Sequence, residues 1–288
     1  MRLLNHVVDG DERLAVGVDD DSAVDVSDLL GDGPWTMARL LGGVPETLDR
    51  LRGTLDRGRL PVARPLASLR LISPLRPAKI VAVGRNYREH AAEESAALPT
   101  APLLFAKFPS AVVGDGADIV WSSALSAQVD YEAELAVVIG RSARNVSVDQ
   151  ALDHVLGYTC LNDVSARDLQ VSDGQWSRAK SLDTFCPMGP WLVTADEIPV
   201  PGALRLRCRV NGEVRQDAST AELVHGVAEL IAYCSRSFTL EAGDVIATGT
   251  PGGVGAFRDP PVFLADGDTV EVEIERVGTL TNRCRVVP

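Results

Sequence analysis

Asp130, Glu132 and Glu134 occupy alternate positions in the run DYEAELAVVIG (130–140), whose second half is apolar enough for a strand buried on both faces. Residues two apart in a strand point the same way, about 6.5–7 Å from one another, so the three carboxylates are expected to line one face at the mouth of that strand. Aligned carboxylates repel, and they resist desolvation unless something positive neutralises them. Arginines at a solvated strand end would do so, and so would a metal ion. A second acidic element, LGYTCLNDV (156–164), ends an apolar segment on Asn162-Asp163. If Asp163 closes on Glu132 and Glu134, the result is an all-oxygen site suited to Mg²⁺ or Mn²⁺, with Ca²⁺ a further fit, and poor for Zn²⁺ or copper. Such a site leaves positions open for water and a chelating substrate.

Two further segments carry chemistry-bearing residues. In GRNYREHAAE (84–93), Asn86 is an N-capping type of residue and the spacing predicts a helix over 87–97. His90 and Glu93 then fall at i, i+3 on one helical face. A carboxylate orienting an imidazole makes a general base for water, and a surface helix kept soluble by its charges is the competing reading. The run TGTPGGVG (248–255) follows an expected strand. Its glycines allow close backbone approach and its N–H groups suit an anionic oxygen, although a simple turn fits as well. It lacks the GK[ST] of a Walker loop and the GxGxxG of a dinucleotide fingerprint. With no G-x-S-x-G elbow present, a serine nucleophile is disfavoured. Of 28 basic residues only Lys79, Lys107 and Lys180 are lysines. In so arginine-rich a chain, Lys107 and Lys180, both flanked by apolar residues, are candidates for the compact, tunable charge that a guanidinium cannot imitate.

These residues need a scaffold. Short β-branched runs bounded by Gly, Pro, Asn or Asp predict strands over 79–83, 135–139, 191–194, 204–210, 245–248 and 269–274, with helices over 87–97, 148–156 and 223–235. Segment 204–210 alternates apolar residues with arginine, and Asn211-Gly212 behind it is the strongest hairpin signal in the chain. Residues 1–34 read as short strands joined by acidic turns, 35–55 as helical, and 61–77, with four prolines, as a connector. The expected architecture is a small N-terminal α/β domain over 1–75 and a β-rich α+β body over 76–288.

Composition excludes several classes of function. The 288 residues carry a formal charge of −12, which argues against nucleic acid and against anionic membrane surfaces. Nine acids and two arginines in residues 1–34 account for −7 of that surplus. No apolar run approaches the ~20 residues that span a bilayer, and the first residues turn acidic too soon for a signal peptide. Five cysteines with no CxxC pair argue against a disulfide framework and a zinc knuckle. A cytoplasmic protein acting on a small molecule is expected.

Taken together and in order, GRNYREHAAE (84–93), FAKFPSA (105–111), DYEAELAVVIG (130–140), NDVSARDLQ (162–170), AKSLDTFCPMGPW (179–191), NGEVRQ (211–216), LEAGDVIATGTPGGVG (240–255) and DGDTVEVEIERVGTL (266–280) resemble the fumarylacetoacetate hydrolase superfamily. The resemblance covers roughly residues 76–288, and Leu182 stands where many relatives carry Phe. It implies a β-roll-rich catalytic domain, usually a homodimer. It also implies Glu132, Glu134 and Asp163 as metal ligands, with His90 and Glu93 as a water-activating dyad. Lys180, Gln170 and Thr250 match groups that hold substrate oxygens; Arg85 and Lys107 fall with the substrate-binding set, and Asp130 matches no ligand. The implied activity is metal-dependent cleavage of a C–C bond in a 2,4-dioxo acid such as an acylpyruvate or fumarylpyruvate, through an enolate. Oxaloacetate-type decarboxylation and hydroxymuconate-type isomerisation use the same enolate and stand as alternatives, as does a non-catalytic binding or scaffold member.

Overall fold

The strand Ala133–Ile139 is buried at every position, as a run with no polar face to offer water must be. It pairs antiparallel with Val155–Asn162 on one side and with Val245–Ala247 on the other, which satisfies its backbone along both edges. Successive side chains point to opposite faces. Leu135, Val137 and Ile139 join an apolar cluster with Leu206, Cys208, Val270 and Val272. Ala136 and Val138 join another with Trp35, Met37, Leu40, Leu48 and Leu51. The structure, a computed structural model, describes residues 1–58, 60–93 and 97–288.

From edge to edge the sheet around this strand runs Arg64–Pro65, Ser22–Asp25, Asp11–Asp19, Arg2–Val8, Cys186–Thr194, Val155–Asn162, Ala133–Ile139, Val245–Ala247, Ile80–Gly84 and Leu103–Lys107. Val245–Ala247 and Ile80–Gly84 lie parallel. The N-terminal strands are hydrogen-bonded directly onto the rest, with Arg2 opposite Val193 and Leu3 opposite Leu192. Helices Val26–Leu30, Met37–Leu41 and Glu46–Leu55 then supply the apolar residues behind Ala136 and Val138. Helical spacing over 35–55 resolves into two helices because the turn at 42–45 holds Gly42, Gly43 and Pro45.

A second sheet, in the order Glu213–Ser219, Arg205–Val210, Thr269–Ile274, Gly278–Val287, Asp118–Ser122, packs over the odd-numbered face. Its Leu206, Cys208 and Val210 turn inward, while Arg205 meets Asp217 and Arg209 meets Glu273 on the outside. Asn211 and Gly212 have φ of 53° and 78°, the left-handed pair that a two-residue hairpin of this twist requires. The β-rich α+β class expected from the sequence is the observed one. Two helix expectations shift. The segment 148–156 forms only Val148–Ala151 and a 3₁₀ turn at Leu152–His154 before Val155 and Leu156 enter the central sheet, because a short apolar run can serve either element. The last helix starts at Val227 rather than 223.

No helix among the described residues is long and apolar enough to cross a membrane. Leu40 is fully buried in the cluster that the N-terminal helices share with the central strand. Leu40→Ala is therefore expected to cost about 2–5 kcal/mol in a single cooperative urea transition followed by far-UV circular dichroism. Two transitions, with only one displaced, would show that the N-terminal segment folds apart from the rest.

Candidate active site

Strand registers bring four chain segments to one end of the central sheet. Ala133 faces Asn162, Ala136 faces Ala247, and Ala247 faces Ala82. Residues just before Ala133, just after Asn162, just after Ala247 and just after Gly84 therefore converge. Glu132, Glu134 and Asp163 each place a carboxylate oxygen within 4.8 Å of the others, and all three side chains are buried. The Asp163 amide donates to the Glu132 carbonyl at 2.8 Å, locking the two segments in step. Asp130 does not join them. Strand pairing lapses at Tyr131 and Glu132, so the alternation of two does not carry back to Asp130, and its expected place on the shared face is corrected.

Three buried cations press on this cluster. Lys180 Nζ reaches Glu132 Oε2 at 2.7 Å, Asp163 Oδ2 at 2.8 Å and the Ser165 hydroxyl at 2.8 Å. Lys107 Nζ reaches Asp163 Oδ1 at 2.6 Å and donates to the carbonyls of Phe185, at 3.0 Å, and Lys180. Arg167 Nη1 reaches Glu132 Oε1 at 2.7 Å. Burial alone would raise the Glu132 carboxyl, but Lys180, Arg167 and His90 outweigh it and hold the group down to about 2. Glu134 goes the other way. Burial, then the charges of Asp163 and Glu132, push it well above the usual carboxylate range. Burial would lower the Lys180 ammonium, yet Asp163 and Glu132 raise it. The two lysines singled out by composition thus share Asp163, whereas Lys79 pairs with Asp244 outside the site.

His90 and Glu93 lie on the short helix Arg88–Glu93, with Nδ1 and Oε2 3.7 Å apart. The sequence expected this helix to reach residue 97; residues 94–96 lie outside the described ones, and residue 97 is not helical. Asn86 does not cap the helix. Its side chain donates to the carbonyls of His225 and Thr248, at 3.0 and 2.8 Å, and so ties the helix entry to the glycine-rich segment. The amides of that segment do hold anionic oxygens, and those oxygens are the protein's own. Gly249 N–H donates to Glu134 at 2.9 Å, Gly253 N–H to Glu93 at 2.7 Å, and Gly255 and Ala256 N–H to Asp130 at 2.8 and 2.9 Å. A Cβ on Gly255 would sit 1.9 Å from the Val262 carbonyl oxygen and 2.7 Å from Asp130 Oδ1, so only glycine fits there. Gln216, reaching over from the second sheet, donates to Thr250 Oγ1 at 2.8 Å and to the Pro251 carbonyl at 2.9 Å.

The carboxylate cluster opens on a small pocket lined by Arg85, His90, Glu132, Glu134, Gln170, Lys180 and Thr250, seven of the residues named from the sequence. Of the others, Glu93 pairs with His90, and Lys107 and Asp163 both contact Lys180. Trp176 and Phe105 close the wall edge to face at 5.3 Å, and about 10 Å³ of space remains, room for about one water molecule. Sequence reading missed Arg167, which lines the pocket and donates to Gln170 Oε1 at 3.0 Å, together with Trp176 and Gln216. Arg167 lies within NDVSARDLQ, but nothing local distinguishes it from the other arginines.

Residues 79–285 match the fumarylacetoacetate (FAA) hydrolase C-terminal family. The chain is 45% identical over 253 residues to a mitochondrial oxaloacetate tautomerase of Bos taurus, covering 87% of this chain and 80% of that one. It is 48% identical over 223 residues to the oxaloacetate tautomerase YisK of Bacillus subtilis, covering 76% and 74%. Among solved structures, the fumarylacetoacetate hydrolase of the psychrophile Exiguobacterium antarcticum superposes with a TM-score of 0.85 at 39% identity over the whole of both chains. The chain belongs to the fumarylacetoacetate hydrolase family of enzymes.

Proposed function

We propose that the protein is a divalent-metal-dependent tautomerase that interconverts the enol and keto forms of a short 2-oxo dicarboxylate of the oxaloacetate class. One observation carries the reading: Glu132, Glu134 and Asp163 meet as a buried all-oxygen set beside His90, in a chain 45% and 48% identical to two oxaloacetate tautomerases. The donor set fits Mg²⁺ or Mn²⁺, and Ca²⁺ next. Its buried, mutually repelling carboxylates are what a divalent charge would relieve. When bound, the ion supplies Lewis-acid stabilisation of the negative charge on the 2-oxo group.

In this reading the chain's own residues do the rest. His90 takes the proton from C3 of the keto form and delivers it to the 2-oxo oxygen to give the enol, the reverse transfers giving the keto form, while Glu93, fixed by the Gly253 amide, holds the ring in register. Lys180, Gln170, Arg167, Arg85 and Thr250, which all line the pocket, hold substrate carboxylate oxygens. Lys107 holds Asp163 in place through its 2.6 Å contact. The half-buried pair Trp176 and Phe105 walls the pocket and limits water access, which strengthens the charge interactions inside. A homodimer in the cytoplasm belongs to the same proposal.

Hydrolysis of an acylpyruvate, the activity first expected from the sequence, remains a second reading. It is favoured by the His90–Glu93 pair itself, since water activation calls for an oriented base, and by the likeness to a fumarylacetoacetate hydrolase. The assay that separates the two follows the ultraviolet absorbance of enol-oxaloacetate with Mn²⁺ present, beside pyruvate release from acylpyruvates. The tautomerase reading expects ketonisation well above the buffer rate, and His90→Asn to slow it by about 10²–10⁴-fold. Pyruvate release without enol ketonisation would favour the hydrolase, and neither activity would favour a non-catalytic member.

A second test addresses the metal. Glu134→Gln removes a buried charge repelled by Glu132 and Asp163, so it is expected to raise the Tm of chelator-treated protein at pH 7 while abolishing the Mn²⁺-dependent rise in Tm seen in the wild type. Because folding raises the Glu134 pKa above 4.5, its ionised form opposes folding at neutral pH and the penalty fades as pH falls through the raised value. The Tm gap between variant and wild type should therefore narrow on acidification. Glu132 contributes oppositely: its stabilisation is full above 4.5 and is lost only as pH falls through about 2. A Glu134→Gln protein that still gains stability from Mn²⁺ would contradict the assignment.

A further inference from the structure

Asp130 is fully buried, matches no ligand position and stands outside the three-carboxylate cluster, yet it is the most heavily bonded acid at this end of the sheet. Its Oδ2 lies 2.9 Å from both Nε and Nη2 of Arg167 and accepts the Ala256 amide at 2.9 Å. Its Oδ1 accepts the amides of Gly255 at 2.8 Å and Tyr131 at 2.9 Å. One carboxylate therefore grips a pocket-lining guanidinium and the glycine-rich segment together. On the far side of that segment Gly255 is pinned to Val262, whose amide donates to the Gly255 carbonyl at 3.0 Å.

We propose that Asp130 is the positioning residue of this site, acting through Arg167. A guanidinium is planar, so fixing its Nε–Nη2 edge fixes the direction of Nη1. Nη1 is the atom that meets Glu132 Oε1 at 2.7 Å and Gln170 Oε1 at 3.0 Å, beside the space where a substrate carboxylate would sit. The same carboxylate anchors Gly255 and Ala256, a few residues beyond Thr250 and the Gly253 amide that holds Glu93. Asp130 thereby keeps the anion-binding arginine and the dyad's support in one fixed relation without touching substrate. The inference rests on the proposed binding of a 2-oxo acid, for which Arg167 supplies positive charge.

The probe is oxalate, a dianion with the shape of a 2-oxo acid's enolate, titrated calorimetrically into the Mn²⁺-loaded protein, with Mn²⁺ affinity measured separately. Asp130→Asn keeps shape and volume but cannot accept from Arg167 and both loop amides. It is expected to weaken oxalate binding about tenfold or more, with a smaller loss of Mn²⁺ affinity because Arg167 also touches Glu132. If Asp130 acts through Arg167, the double variant Asp130→Asn/Arg167→Gln binds oxalate no worse than Arg167→Gln alone. Should Asp130→Asn fail to fold, Asp130→Glu keeps the charge and moves it by one methylene, with the same loss expected. Oxalate affinity unchanged in the folded variant, or fully additive losses in the double variant, would overturn the positioning role alone. Wild-type protein that binds Mn²⁺ but not oxalate would overturn the binding reading, and this inference with it.

Discussion

Charge neutralisation inside a dry protein is the constraint on which this end of the molecule depends. Asp130, Glu132, Glu134 and Asp163 are all buried, and an uncompensated carboxylate in such surroundings costs several kcal/mol. Arg167, Lys180 and Lys107 answer three of them within hydrogen-bonding distance. Four acids face three cations, and the remainder falls on Glu134. Burial, then the charges of Asp163 and Glu132, push its carboxyl up, and the Lys180 charge and the Gly249 amide offset only part of that. The unbalanced acid is also the one seated deepest in the strand, so the place where charge is missing and the place where a divalent ion would bind coincide.

Backbone amides are the second means of holding these acids. A protein that must hold several carboxyl groups immobile can use side-chain cations only up to the space available; peptide N–H groups add donors with no side-chain volume. The segment from Gly249 to Ala256 does this for Glu134, Glu93 and Asp130. Such proximity explains its glycines: a Cβ at Gly253 would fall 2.2 Å from the Arg215 carbonyl oxygen, and one at Gly255 would collide with that of Val262. The loop, the His90–Glu93 helix and the strand bearing Glu134 are thereby bonded into a single unit, and Gln216 extends it to the second sheet.

Apolar packing makes that unit rigid. The strand bearing Glu134 has core on both faces, one side filled by the second sheet and the other by N-terminal helices. The acidic N-terminal segment, from which the sequence suggested no chemistry, thus supports from behind the strand on which the carboxylates are mounted.

Periodicity and residue type were enough to read 135–139 as a doubly buried strand and Asn211-Gly212 as a hairpin turn, because those signals are local and strong; for Glu132, Glu134 and Asp163 they offered a solvated strand end as well as an oxygen-ligand set, and only the family resemblance chose between the two. The rarity of lysine likewise singled out Lys107 and Lys180, which both reach Asp163. Other features were invisible for a common reason. Asp130 leaves the shared face because strand pairing stops at Tyr131, and Asn86 bonds across to His225 and Thr248 because the chain returns there 139 and 162 residues later. Arg167 becomes distinctive only through partners 37 and 35 positions away, Asp130 and Glu132. Sequence alone determined which side chains have the chemistry for a metal-assisted site. Tertiary structure decided which of them neutralise one another, because electrostatic balance in a buried cluster depends on distance in space, and that distance is set by strand register rather than by position along the chain.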